Sequence, residues 1–136
     1  MKQQFFLFSK YFFVALIGFF APIIYAFILT TILVGADTIT GVMKAGKDNV
    51  KNITSKKMFA VCPKMSFYFL LIITAHSVQI YVEPQIPFTK LALIGISWIE
   101  IKSIDENFNA IFGFSFMDKI LEGIKSFNQI KRHKDE

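Results

Sequence analysis

The stretch YFFVALIGFFAPIIYAFILTTILVGA, residues 11–36, decides the fold because its 26 consecutive residues carry no charge. An α-helix of that length, rising ~1.5 Å per residue, extends about 39 Å and crosses the ~30 Å hydrocarbon core of a bilayer with tilt. A cleaved signal peptide is the alternative, since Lys2 and Lys10 precede the run. The apolar part of such a peptide is usually only ~7–15 residues long. We therefore expect a retained span over 11–36, with a kink at Pro22.

A second uncharged run, MSFYFLLIITAHSVQIYV, covers residues 65–82 and predicts a second span. His76 and Gln79 lie three residues apart inside it, on one face of the helix. Polar groups are expensive in lipid, so this face is expected to point into a helix bundle or toward water.

The third apolar stretch is weaker, because only Leu91–Ile99 is uncharged. A helix over 88–108 is nevertheless long enough to cross, and it would carry Glu100 close to the membrane or into it. We expect a third span here, with a re-entrant or interfacial helix as the alternative.

The last segment, 115–130, is predicted to form an amphipathic helix whose apolar stretch is too short to cross a bilayer. Ser115 can cap its first amides, and Asp118 follows three residues later. This helix is expected on the membrane surface or on a partner subunit. The expected fold is an all-α integral membrane protein, a single domain over 1–136, with about three transmembrane helices and this C-terminal helix, assembled into oligomers.

The charges indicate an orientation rather than a nucleic-acid partner. The chain is 54% hydrophobic and only 18% charged, against about 25% charged in soluble domains, and its net charge is +5. Six lysines but one acid lie in 44–64, and six Lys or Arg follow Glu100. Cytoplasmic loops collect Lys and Arg, so both regions are predicted to be cytoplasmic and the N-terminus external. A hairpin at Pro22 would instead place the N-terminus inside.

Enzyme chemistry is not indicated by the residue inventory. Cys62 is the single cysteine, and the two histidines, His76 and His133, lie far apart. No catalytic residue, cofactor site or metal site is therefore predicted.

Two polar motifs near the predicted span ends are the candidates for function. The first is DTITGVMKA, 37–45, in which Asp37, Gly41 and Lys44 share one helical face. Gly41 and Ala45 also form a small-x-x-x-small pair, which lets helices approach closely. Asp37 is interpreted either as a boundary residue or as the partner of a buried base.

The second motif is EIKSIDEN, 100–107, in which Glu100, Ser103 and Asn107 line one helical face. Glu100 or Glu106 is expected to pair with Lys44, within one subunit or between subunits. The candidates for assembly and pore lining are the polar and small residues of both motifs and of the second span: Asp37, Thr40, Gly41, Lys44, His76, Gln79, Glu100, Ser103, Glu106 and Asn107.

The motifs D-x-x-T-G-x-x-K-A and E-x-x-S-I-x-E-N, separated by the basic stretch Thr54-Ser55-Lys56-Lys57, resemble the phage holin family that includes toxin-secretion and lysis holins. Within that family the chain is similar to members from Bacteroidetes phages and prophages, which also share the Phe20-Ala21-Pro22 stretch. The resemblance covers roughly 19–130 and departs at Ile99, where many relatives carry a polar residue.

The resemblance implies a multi-pass protein of the bacterial inner membrane that self-associates in the lipid bilayer. It implies that the oligomer opens lesions through which an endolysin reaches the cell wall, so that the host lyses. The alternatives are a membrane accessory subunit or anchor, and a small proton-coupled transporter using Asp37, His76 or Glu100.

Overall fold

The computed structural model describes residues 2–48 and 59–135, with side chains from 6 to 47 and from 59 to 127. This part of the chain is helical and contains no strand, which confirms the all-α class. In chain order the elements are α1 (Lys2–Phe20), a 3-10 turn (Ala21–Ile23), α2 (Ile24–Asp48), α3 (Val61–Tyr81), α4 (Phe88–Phe112) and α5 (Phe116–Asp135).

Pro22 does not reverse the chain. It lies in the 3-10 turn, where its missing N–H costs little, and Phe20 and Ile24 on either side keep right-handed helical dihedrals. Helix therefore continues over 42 residues, Phe6–Lys47. The alternative of a hairpin at Pro22 is therefore wrong, because a tight turn accommodates the proline without reversing the chain.

Two helical stretches are long and apolar enough to cross a membrane, Phe6–Lys47 and Val61–Tyr81. They match the first two predicted spans. Helix α4 has 25 residues and is long enough to cross, but it is not apolar enough. The difference from the three expected spans comes from its charged side chains, which are Lys90, Glu100, Lys102, Asp105 and Glu106.

The predicted basic loop, 44–64, is shorter than expected at both ends. Helix α2 continues to Asp48, and within it the hydroxyls of Thr38 and Thr40 donate to carbonyls one turn earlier. Helix α3 begins at Val61, with Pro63 in its first turn, where no N–H is needed. The middle of the loop, including Thr54 and Ser55, lies outside the described residues.

The chain divides into two compact units, and the first comprises 1–32 and 62–97. Its core contains the buried side chains Ile23, Ala26, Tyr68, Ile72 and Ile96. Ring contacts join α1 and α2 to α3. The ring centroids of Phe27 and Phe69 lie 4.8 Å apart, and those of Phe19 and His76 lie 5.3 Å apart, both pairs edge to face. A short turn over 82–87, containing two prolines, connects α3 to α4.

The second unit comprises 33–61 and 98–136. Helix α4 ends at Phe112, and Gly113 follows it with a φ of 79°, a conformation that favours glycine. The N–H of Gly113 donates to the carbonyl of Asn109. Helix α5 then starts against the end of α4 through ring contacts. These join Phe108 to three aromatic neighbours, which are Phe112, Phe114 and Phe116.

Candidate functional site

The carboxylate of Asp37 ties α2 to α4. Ser103 Oγ donates to Asp37 Oδ1 over 2.6 Å, and Asn107 Nδ2 donates to the same oxygen over 3.2 Å. All three residues are partly buried. Hydrogen bonds to an ionised group are stronger than those between neutral groups. The two sequence motifs therefore meet through side chains within one chain.

Thr40 and Gly41 complete this contact, and we call Asp37, Thr40, Gly41, Ser103 and Asn107 the polar lock. Asn107 Nδ2 also lies 3.4 Å from Thr40 Oγ1, whose hydroxyl reaches the carbonyls of its own helix. A Cβ added at Gly41 would lie 3.6 Å from Asn107 Nδ2. The small residue at 41 therefore faces α4 of the same chain.

Glu100 lies one turn before Ser103 on α4, and its side chain is completely buried. Moving a carboxylate away from water carries a large desolvation cost. A change in helix packing that exposed Glu100 to water would therefore remove a large desolvation cost. In the single chain Glu100 faces neither solvent nor lipid.

Glu106 pairs with a lysine of its own helix. Its Oε1 lies 4.0 Å from Lys102 Nζ, one turn earlier, and both side chains are about two-thirds exposed. Such surface pairs contribute little to stability. Periodicity did not predict this pair, because it places residues on a face but does not say which group that face meets. The expected pairing of Lys44 with Glu100 or Glu106, within one subunit or between subunits, stays a prediction.

Lys47 is a contact residue that the sequence reasoning missed, because it assigned this residue to a loop. Its Nζ donates to the carbonyl of Ala110 over 3.2 Å and to that of Ile111. These carbonyls lie in the last turn of α4, where no helical partner remains for them. A cation there also interacts favourably with the helix dipole.

Asp105 is the second residue that was missed. Its carboxylate accepts the amide of Phe116 over 2.8 Å and the hydroxyl of Ser115 over 2.7 Å. Ser115 Oγ in turn accepts the amide of Asp118 over 3.0 Å, which confirms the predicted cap. An acid shortly before a Ser-x-x-Asp helix start was the available signal for Asp105.

His76 and Gln79 belong to the first unit, whereas the residues of the polar lock belong to the second. Gln79 Oε1 accepts the amide of Thr89 over 3.0 Å and so caps the first turn of α4. His76 is buried, and its Nδ1 lies 3.5 Å from Thr89 Oγ1. The polar face predicted on the second span therefore points at the start of α4.

The chemistry available to these residues is hydrogen bonding between helices. Among the described residues, no three His, Cys, Asp or Glu side chains are arranged to hold a metal ion. Polar contacts between membrane helices contribute about 0.6–2 kcal/mol each. The polar lock therefore consists of a few hydrogen bonds of modest strength between α2 and α4.

Replacing Ser103 by alanine is expected to lower the free energy of unfolding in detergent by about 0.6–2 kcal/mol, because Asp37 loses its shortest hydrogen bond. Chemical unfolding followed by circular dichroism measures the difference. Ser66→Ala is the matched control, since Ser66 is exposed and its hydroxyl donates to its own helix, at the Cys62 carbonyl. Equal losses for the two variants would contradict a role of Ser103 between helices.

Comparison with known proteins supplies the family. Residues 11–129, which include the polar lock, His76 and Gln79, match the model of the bacteriophage holin family. No curated protein and no solved structure gives a significant match. Since the match covers most of the chain, this protein belongs to the bacteriophage holin family.

Proposed function

We propose that the protein is a holin of the bacterial inner membrane, which self-associates in the lipid bilayer and opens lesions that let an endolysin reach the cell wall. The family match over residues 11–129 is the observation that carries this proposal. Two long apolar helices support the membrane location. Holins are not enzymes, so the chemistry belongs to the endolysin, while the holin controls access and timing.

We propose three crossings, with α4 as the third. Its first turn contacts the end of α3 through Thr89 and Gln79, and its last turn contacts the end of α2 through Lys47. If α2 and α3 each cross the bilayer, the end of α3 and the end of α2 lie on opposite sides. A helix that reaches both ends must then cross as well. Helix α4 is too polar to do so alone, and the hydrogen bonds to α2 reduce that cost.

The positive charges support one orientation. The six lysines of 44–64 favour a cytoplasmic connection between α2 and α3, because cytoplasmic loops collect Lys and Arg. With three crossings, the turn over 82–87 is then external, α5 is cytoplasmic and the N-terminus is external.

The polar lock supports a two-stage mechanism. In a single chain, Asp37, Ser103 and Asn107 satisfy one another, so copies accumulate in lipid without presenting these groups to it. A lesion requires water-facing polar groups. We propose that α2 and α4 separate during assembly and that the polar residues then face water or their counterparts in other copies. Glu100, Lys44, Glu106, His76 and Gln79 remain the further candidates for assembly and pore lining.

Induced expression in a bacterium tests the function. We expect an abrupt loss of membrane potential after a lag, recorded with a potential-sensitive dye, because lesions open only after many copies accumulate. Co-expressed endolysin is expected to lyse the cells at that moment, whereas endolysin alone leaves them intact. Undisturbed growth and potential at high expression would refute the holin proposal.

Labelling with a membrane-impermeant maleimide tests the topology. Cys62 is exposed in the first turn of α3 and is expected to react only from the cytoplasmic side. In a Cys62→Ser background, Gln85→Cys is expected to react from outside and Glu122→Cys from inside. Reaction of Gln85→Cys and Glu122→Cys from the same side would rule out a crossing by α4.

A reversible cross-link tests the separation of α2 from α4. Gly41→Cys and Asn107→Cys, in a Cys62→Ser background, place two thiols at the close contact of the polar lock. After reaction with a short bis-methanethiosulfonate, dye-loaded proteoliposomes are expected to retain their dye, and reductant should restore release. The two single-cysteine variants, treated identically, are the controls. Equal release from cross-linked and control vesicles would show that separation is unnecessary.

A further inference from the structure

Helix α5 carries an apolar face that the other described residues do not cover. Ile120, Leu121, Ile124 and Phe127 are between 50% and 69% exposed. With about 100° between successive residues, these side chains and those of the first turn occupy about 140° of the helix circumference. A stripe of this width is typical of a helix that lies on an apolar surface rather than of a narrow coiled-coil seam.

The charges of α5 are arranged around that face in a specific order. On the same helical projection, Lys119 and Lys125 flank the apolar stripe, one on each side. Glu122 lies near the middle of the opposite face, whereas Asp118 lies about 60° from the stripe, as far from it as Lys119 does. Lysines beside the stripe can extend their charge to lipid headgroups while their aliphatic stems remain in the apolar layer. Glu122 then points to water, away from anionic lipid.

The first turn of α5 is fixed to the end of α4. Asp105 accepts the amides of Phe116 and Met117, and the Phe116 ring lies 6.1 Å from that of Phe108. Phe114 contributes a further ring beneath the Lys119 ammonium, which lies 3.9 Å from its centroid. Aromatic rings are enriched where a membrane meets water. The helix therefore starts in an aromatic cluster at the end of the proposed third crossing.

We propose that α5 lies flat in the headgroup layer of the cytoplasmic leaflet, with Ile120, Leu121, Ile124 and Phe127 in the acyl region and Lys119 and Lys125 on anionic headgroups. The inference rests on the crossings in the proposed function, since they bring the end of α4 to the membrane surface. The width of the apolar stripe and the aromatic rings at the start of the helix favour a lipid surface over a second copy, because a coiled-coil seam is narrower and aromatic rings collect where a membrane meets water.

Tryptophan fluorescence of the full chain in proteoliposomes tests the placement. Trp98 is the single tryptophan, so Trp98→Phe gives a dark background. Ile124→Trp then reports from the middle of the apolar stripe, and Glu122→Trp is the matched control on the opposite face. The vesicles contain phosphatidylethanolamine and phosphatidylglycerol, with part of the lipid brominated on its acyl chains.

We expect Ile124→Trp to emit at shorter wavelength and to lose most of its intensity to brominated lipid. Glu122→Trp should instead be quenched by aqueous iodide. Equal behaviour of the two reporters would overturn the proposal. A blue-shifted Ile124→Trp that brominated lipid does not quench would also overturn it, because protein would then cover the face.

Charge reversal tests the headgroup contact. Lys119→Glu combined with Lys125→Glu should reduce lipid quenching of Ile124→Trp in phosphatidylglycerol vesicles and change it less in phosphatidylcholine. Unchanged quenching in both lipids would overturn the anionic contact. Dye release from the same vesicles separates the two proposals. Lipid quenching without release would refute the holin function alone, and release without quenching would refute the surface helix alone.

Discussion

The hydrogen bonds that Asp37 accepts from Ser103 and Asn107 are the interaction on which the arrangement of α2 and α4 depends. A carboxylate at the end of a long apolar helix is costly in lipid unless donors surround it. Here the donors come from α4, which is too polar to cross a bilayer alone. The proposed crossing by α4 therefore depends on these bonds, because each helix supplies the groups that lower the cost of placing the other in lipid.

Side chains from other helices also satisfy the backbone groups at the helix ends. Every α-helix leaves unpaired amides at its start and unpaired carbonyls at its end. The start of α4 receives Gln79, its end receives Lys47, and the start of α5 receives Asp105. In each case a side chain of a different helix satisfies the backbone. These caps determine where each helix begins or ends. They thereby determine which residues of one helix lie beside which residues of its neighbour along the helix axis.

Periodicity and composition predicted the helices and the faces, because both signals are local in sequence. They placed Asp37 on one face and Ser103 and Asn107 on another, and these faces meet in the structure. They did not predict that Lys47 lies on a helix, since charge density alone suggested a loop. Nor did they predict the partner of Glu106, because periodicity contains no information on which helix a face meets. Such contacts between distant residues depend on how the helices pack.

The length of the helical stretch from Phe6 to Lys47 has a consequence for the proposed crossings. At ~1.5 Å per residue, 42 helical residues have a contour length of about 63 Å, roughly twice the ~30 Å hydrocarbon core of a bilayer. Apolar length alone therefore does not define which part of this stretch the lipid would cover. In the proposed topology the polar end does, because Asp37 and Lys47 are both held to α4. A change in bilayer thickness would then be taken up at the aromatic N-terminal end, while the register of the polar end stays constant.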